Sequence, residues 1–173
     1  MPPPKPKPAH RAAAEAASAP TPAFLRTFFL RDRFAAGAGV RLVDCGPGFA
    51  VARMKLRPGH LNGVDVVQGG AVFTLADFAF AVACNTAGPV ALAIDVSISF
   101  LAAVTRGTLT AEAREVSRSS RLSRVEVEVR DGKGNPVALF HGTAYVTRTP
   151  LVEVAARPRP RASTGRKVTR RAH

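Results

Sequence analysis

The sequence predicts an α+β fold in which one long helix lies across a curved antiparallel sheet, and two features predict it. From Gly70 to Ala87 the run GAVFTLADFAFAVACNTA is apolar, alanine-rich and closed by Gly88-Pro89, the signature of a helix with a defined stop. Around it lie segments whose apolar residues recur at every second position, the period of a strand.

Taken in order, Phe24, Leu25, Phe28 and Phe29 recur at helical spacing and predict a short amphipathic helix over about 21–35, stopped by Gly37 and Gly39. Packing on the sheet or on a neighbouring subunit is its expected role, with a lid or membrane-surface anchor as the alternative. Strands follow at 39–45 and 48–56, joined by Gly46-Pro47-Gly48. Residues 59–70, GHLNGVDVVQGG, read as an irregular loop. The long helix comes next; its small residues, central carboxylate and modest length argue against a membrane span. From 91 to 100, Leu92, Ile94, Val96, Ile98 and Phe100 alternate with smaller or polar residues. Strands are expected at 107–118 and at 121–131, where Val125, Val127 and Val129 share a face. Gly132-Lys133-Gly134-Asn135 turns the chain into 136–147, with Val137, Leu139, His141, Thr143 and Tyr145 on one face. A single helix across the sheet is the simplest way to bury these faces.

The net charge of +13 is concentrated at the ends: residues 1–20 and 150–173 together supply +8, leaving +5 on residues 21–149. One domain over 21–149 with basic Pro/Ala-rich disordered tails, 1–20 and 150–173, is the expected organisation. The proline-rich start has no secretory hydrophobic region; an organelle transit peptide is the alternative reading. Basic tails leave binding of nucleic acid or other anions open, although neither contains a helix-turn-helix. Cys45 and Cys84 are far apart in apolar segments and make no metal-ligand pattern, so buried reduced thiols and a cytoplasmic location are expected.

Asp77 is the one charged residue between Val66 and Ile94, and it sits in the middle of the most apolar helix. Its neighbours at three and four residues, Phe73, Thr74, Phe80 and Ala81, offer no cation. Burying an unpaired carboxylate costs several kcal/mol, on the order of a domain's whole stability margin. The residue therefore borrows a hydrogen bond from elsewhere or faces a cleft. At the helix start, Gln68-Gly69-Gly70 leaves the first backbone N–H groups bare at the positive end of the helix dipole. That suits a developing oxyanion, or else the glycines simply permit a tight turn. Gly69 and Asp77 are separated by ~12 Å along one helix at ~1.5 Å per residue. Two antiparallel copies can instead bring Gly69 of one subunit to Asp77 of another, a site shared across a two-fold interface.

These residues resemble the phenylacetate-degradation (PaaI-like) branch of the hotdog thioesterases over about 22–148. The matching features are Asn62, then Gln68-Gly69-Gly70, then Leu75-Ala76-Asp77, with the stretches 60–88, 93–121 and 137–146 around them. The resemblance implies a homo-oligomer, a dimer or a tetramer built of dimers, that hydrolyses acyl-CoA thioesters, an aryl-acetyl-CoA among the candidates. Coenzyme A is then part of the substrate and no cofactor is implied. It implies further that Asp77 is the catalytic carboxylate, as general base or nucleophile, and that the Gly69 N–H is the oxyanion donor. Asn62 would position the water or the carbonyl, and Gln68 stands where many relatives carry histidine. Gly70 and the turn Arg118, Ser119, Ser120, Arg121 are the candidate substrate and CoA contacts, a solvated basic hairpin being the alternative for the turn. His60 and His141 read as structural. The same fold hosts dehydratases, which need a histidine the central helix lacks, and non-catalytic acyl-CoA-binding regulators, which stay open as the alternative function.

Overall fold

The structure, a computed structural model, describes residues 19–158; the tail readings for 1–18 and 159–173 lie outside the described residues. Two short helices, α1 (Pro22–Phe29) and α2 (Arg33–Gly37), precede the hairpin of β1 (Val40–Gly46) and β2 (Phe49–Lys55). The central helix α3 (Gly69–Asn85) leads into β3 (Pro89–Phe100), β4 (Thr108–Arg118), β5 (Leu122–Arg130) and β6 (Pro136–Pro150), and α4 (Leu151–Ala156) closes the order. All six strands form one antiparallel sheet in the order β1-β2-β4-β5-β6-β3.

Helix α3 is apolar almost all round, as a helix must be to lie within a core, and it touches every strand. The strands turn small or branched residues toward it: Ala50, Ala52 and Met54 from β2, Leu109, Ala111 and Ala113 from β4, Val125, Val127 and Val129 from β5. The largest side chain of the helix interior, Phe80, packs against Phe140 and lies over Gly142, where any Cβ would stand 2.5 Å from the Phe80 ring. Burial of each such large apolar side chain contributes about 1.5–3 kcal/mol.

Three expectations need correcting. The single helix over 21–35 is two, because Asp32 adopts an extended backbone and its Oδ1 accepts the Ala35 N–H at 2.9 Å, starting a new helix. The alternating row on β3 is not wholly buried: Leu92 and Ile94 are each 60% exposed and Phe100 54%. This strand has a neighbour on one side only, β6, and a bulge between Ala93 and Asp95 disturbs its register. Ordered structure also continues past 149, since α4 buries Leu151 and bonds its N–H to the Gly88 carbonyl at 2.8 Å.

Candidate active site

Asp77 lies on α3 midway along the apolar helix and is half-buried, and no hydrogen bond or ion pair to it is found among the described residues. It lines a cavity of about 240 Å³ with Asp32, Phe34, Ala35, Phe73, Thr74 and Phe78. Burial, and secondarily the like charge of Asp32, raises its pKa above the ordinary aspartate value. A carboxylate so placed is a stronger base than one in water.

The other end of the constellation is the start of α3. The Gln68 carbonyl accepts from the Ala71 and Val72 N–H groups, whereas those of Gly69 and Gly70 have no partner among the described residues. Gly69 lines a second cavity, of about 450 Å³, with Val66, Val67, Val72, Phe100, Leu101, Ala102, Ala103, Val104 and Val137. The Phe100 ring packs on Gly69, where a Cβ would meet it at 3.0 Å, and the exposed Gln68 side chain folds over Gly70. Within one chain, then, the bare N–H groups and the carboxylate open into separate cavities.

Asn62 holds the loop that feeds the helix. Its Oδ1 accepts from the Val64 and Val66 N–H groups at 3.0 and 3.2 Å, which commits the oxygen and leaves the Nδ2 amide available. Asp65, at φ 59°, makes the turn inside that loop. His60 is buried against Arg57, and His141 lies 3.7 Å from Glu126, so neither histidine adjoins Asp77.

The turn between β4 and β5 divides its residues. Arg118 points inward: its Nε donates to Glu115 Oε1 at 2.7 Å and its Nη2 to the Cys84 carbonyl at the end of α3. Its guanidinium is therefore engaged as a helix cap, which the basic spacing of the turn did not reveal. Ser119 is engaged too, its Oγ accepting from the Leu122 N–H at 3.0 Å. Ser120 and Arg121 face outward and line a cavity of about 340 Å³ with Tyr145, Val146 and Arg148, Arg121 reaching the Tyr145 hydroxyl at 3.3 Å. Arg148 was missed from sequence; only the strand pairing of β6 beside β5 brings it to this turn.

Cys45 and Cys84 are both buried and unpaired. Burial pushes the Cys84 thiol up to about 11 against the lowering hydrogen bond from Ser123, which disfavours the reactive thiolate. No helix among the described residues is long and apolar enough to cross a membrane.

Residues 65–138 match the thioesterase superfamily. The acyl-coenzyme A thioesterase PaaI of Escherichia coli is 36% identical over 115 residues, 66% of this chain and 82% of that protein. Its solved structure, from the phenylacetic acid degradation operon, aligns with a TM-score of 0.69 at 30% identity, over 82% of this chain and 96% of that one. A point-mutant form of the phenylacetic acid degradation protein PaaI of Thermus thermophilus gives 0.65 at 35% identity, over 67% and 100% of the two chains. With a six-stranded antiparallel sheet around one apolar helix, and identity at this level across most of a relative's length, the chain belongs to the PaaI-like branch of the hotdog thioesterases and is a thioester hydrolase.

Proposed function

We propose that the protein hydrolyses acyl-CoA thioesters to the free acid and CoA, with Asp77 as the general base and the Gly69 N–H as the oxyanion donor. The observation that carries this reading is the half-buried Asp77, without a hydrogen-bond or ion-pair partner among the described residues, facing a cavity walled by Phe34, Phe73 and Phe78. Water attacks the thioester carbon while its proton passes to Asp77. The charge that develops on the carbonyl oxygen is held by the bare N–H groups at the start of α3. Collapse expels the CoA thiolate, and because a thiol has a pKa near ~8.5 no strong acid is needed.

Gly69 and Asp77, ~12 Å apart along one helix and opening into separate cavities, act together when they come from opposite subunits of a two-fold dimer. The exposed Leu92 and Ile94 on the edge strand β3 are apolar surface that such a partner would cover, in a dimer or a dimer of dimers. The Asn62 Nδ2 is available to position the water or carbonyl, and the Gln68 side chain, folded over Gly70, can donate at the helix start. Ser120, Arg121 and Arg148 offer the CoA phosphates a polar and basic cavity, while Arg118 serves the fold. Phenylalanine walls favour an aryl-acetyl or medium-chain acyl group, and CoA chemistry with two unpaired thiols favours the cytoplasm.

Thiol release from a panel of acyl-CoAs, phenylacetyl-CoA included, tests this in wild type and Asp77→Asn. Turnover by wild type and a loss of about two orders of magnitude or more in the folded variant are expected. A variant that keeps wild-type rates would rule out Asp77 as the base.

A further inference from the structure

The cavity that holds Asp77 has a second acid in its wall. Asp32 comes from the break between α1 and α2, and its place is set by the backbone: Oδ1 takes the Ala35 N–H at 2.9 Å. The remaining lining, Phe34, Ala35, Phe73, Thr74 and Phe78, carries no charge. A further cavity of about 330 Å³ shares Asp32 and Phe78 in its wall, and its cations are Arg26 and Arg41. Arg26 is already engaged by Asp44 at 3.3 Å.

Among the described residues no charged side chain other than Asp32 lines the Asp77 cavity. The strands packed on α3 turn alanine, valine, leucine and methionine inward, while Arg53, Glu112, Arg114, Arg124 and Glu126 alternate outward to exposed positions. Glu115, Arg118 and Cys84 form their own network at the other end of the helix. Arg33, next to Asp32, is exposed.

We propose that Asp32 is a positioning residue that acts through Asp77: a second carboxyl group, set by its helix cap in the wall of the same cavity, that tunes the hold of the catalytic carboxylate on its proton. This rests on the reading of Asp77 as the base. A second carboxyl group lining the same cavity opposes negative charge on Asp77 even from the exposed position of Asp32, and the direction found for Asp77 agrees. The arrangement has a physical cost, because a cap that could have been serine or asparagine carries a charge toward another acid.

The test is the pH profile of kcat/KM at low salt for wild type, Asp32→Asn and Asp32→Ser, with Asp77→Asn alongside. Asparagine and serine both keep the cap, so loss of the helix start does not confuse the result. The acid limb is expected to move to lower pH in both variants. Raising the salt to about 1 M, where the Debye length falls to ~3 Å, is expected to move the wild-type limb the same way and the variants' limbs less. An unmoved limb in both folded, active variants would reduce Asp32 to a helix cap. Wild-type rates from Asp77→Asn would overturn the underlying assignment instead, and the two failures are separate readings of the same plates.

Discussion

The two ends of helix α3 are built to opposite rules. At the C-terminal end the polar side chains are partnered. Asn85 donates to the Ala81 and Ala91 carbonyls and accepts the Ala91 N–H; Thr86 accepts the Gly48 N–H and donates to Ala83; Arg118 takes the Cys84 carbonyl and is itself held by Glu115, which also accepts from Ser123. At the N-terminal end Gly69 and Gly70 present N–H groups with no partner among the described residues, and the cap, Gln68, makes no side-chain bond to the helix. One end closes the fold, and the other carries the oxyanion site proposed above. The difference teaches where stability and activity should separate, because N–H groups open to solvent at a helix start can be given to a ligand without breaking a bond of the fold.

Substitutions can break that contrast in sequence of severity. Gly69→Val would put a branched side chain into the Phe100 ring and the oxyanion space; kcat is expected to fall about a hundredfold, ~3 kcal/mol of transition-state stabilisation, while thermal unfolding moves little. At the closed end, Arg118→Ala should do the reverse. It strips Glu115 of its cation and uncaps α3, at a cost of about 2–3 kcal/mol measured by denaturant unfolding, with kcat/KM of the folded protein within a few-fold of wild type. If Arg118→Ala instead raised KM for CoA substrates without destabilising, the inward placement would be wrong. Arg121→Ala with Arg148→Ala should raise KM about five-fold at low salt, ~1 kcal/mol, and less at high salt, as exposed phosphate contacts do.

The smallest effect concerns stability against pH. Since the Asp77 pKa is raised in the fold, the folded state holds its proton more tightly than the unfolded chain does. Asp77 therefore subtracts stability as pH rises from its unfolded value, near 3.8, through the raised one. Asp77→Asn should melt at or above the wild-type temperature at pH 7, and the advantage should vanish toward acid pH. Calorimetry at two pH values reads it.

Much of this was legible from residues alone. The strand alternation of Val125, Val127 and Val129 and the glycine-closed run of α3 are local signals, and each element formed where its own pattern placed it. The lone acid in an apolar helix was legible for the same reason. What escaped were features set by pairing across the sheet. The core row of β6 is Ala138, Phe140, Gly142 and Ala144, and apart from Phe140 its members are too small to stand out against the bulkier Leu139 and Tyr145 on the opposite face. Arg118 and Arg121 share a turn and a charge, yet only the fold decides that one caps a helix and the other faces outward. Asp32 carried a capping signal in plain view, masked by the aromatic periodicity running through it.

The strand order has a bearing on how the chain comes to be made. Strand β3 finds its neighbour in β6, the last of the described strands in chain order: Leu92 lies opposite Tyr145 and Phe100 opposite Ala138. Until then the hairpins of β1 with β2 and of β4 with β5 can form, but the apolar flank of α3 and the whole of β3 wait uncovered. Such non-local closure is slow and leaves a sticky intermediate. Synthesis arrested before residue 136 should therefore yield a nascent chain that chaperones retain, and release into β6 should be the step that frees it.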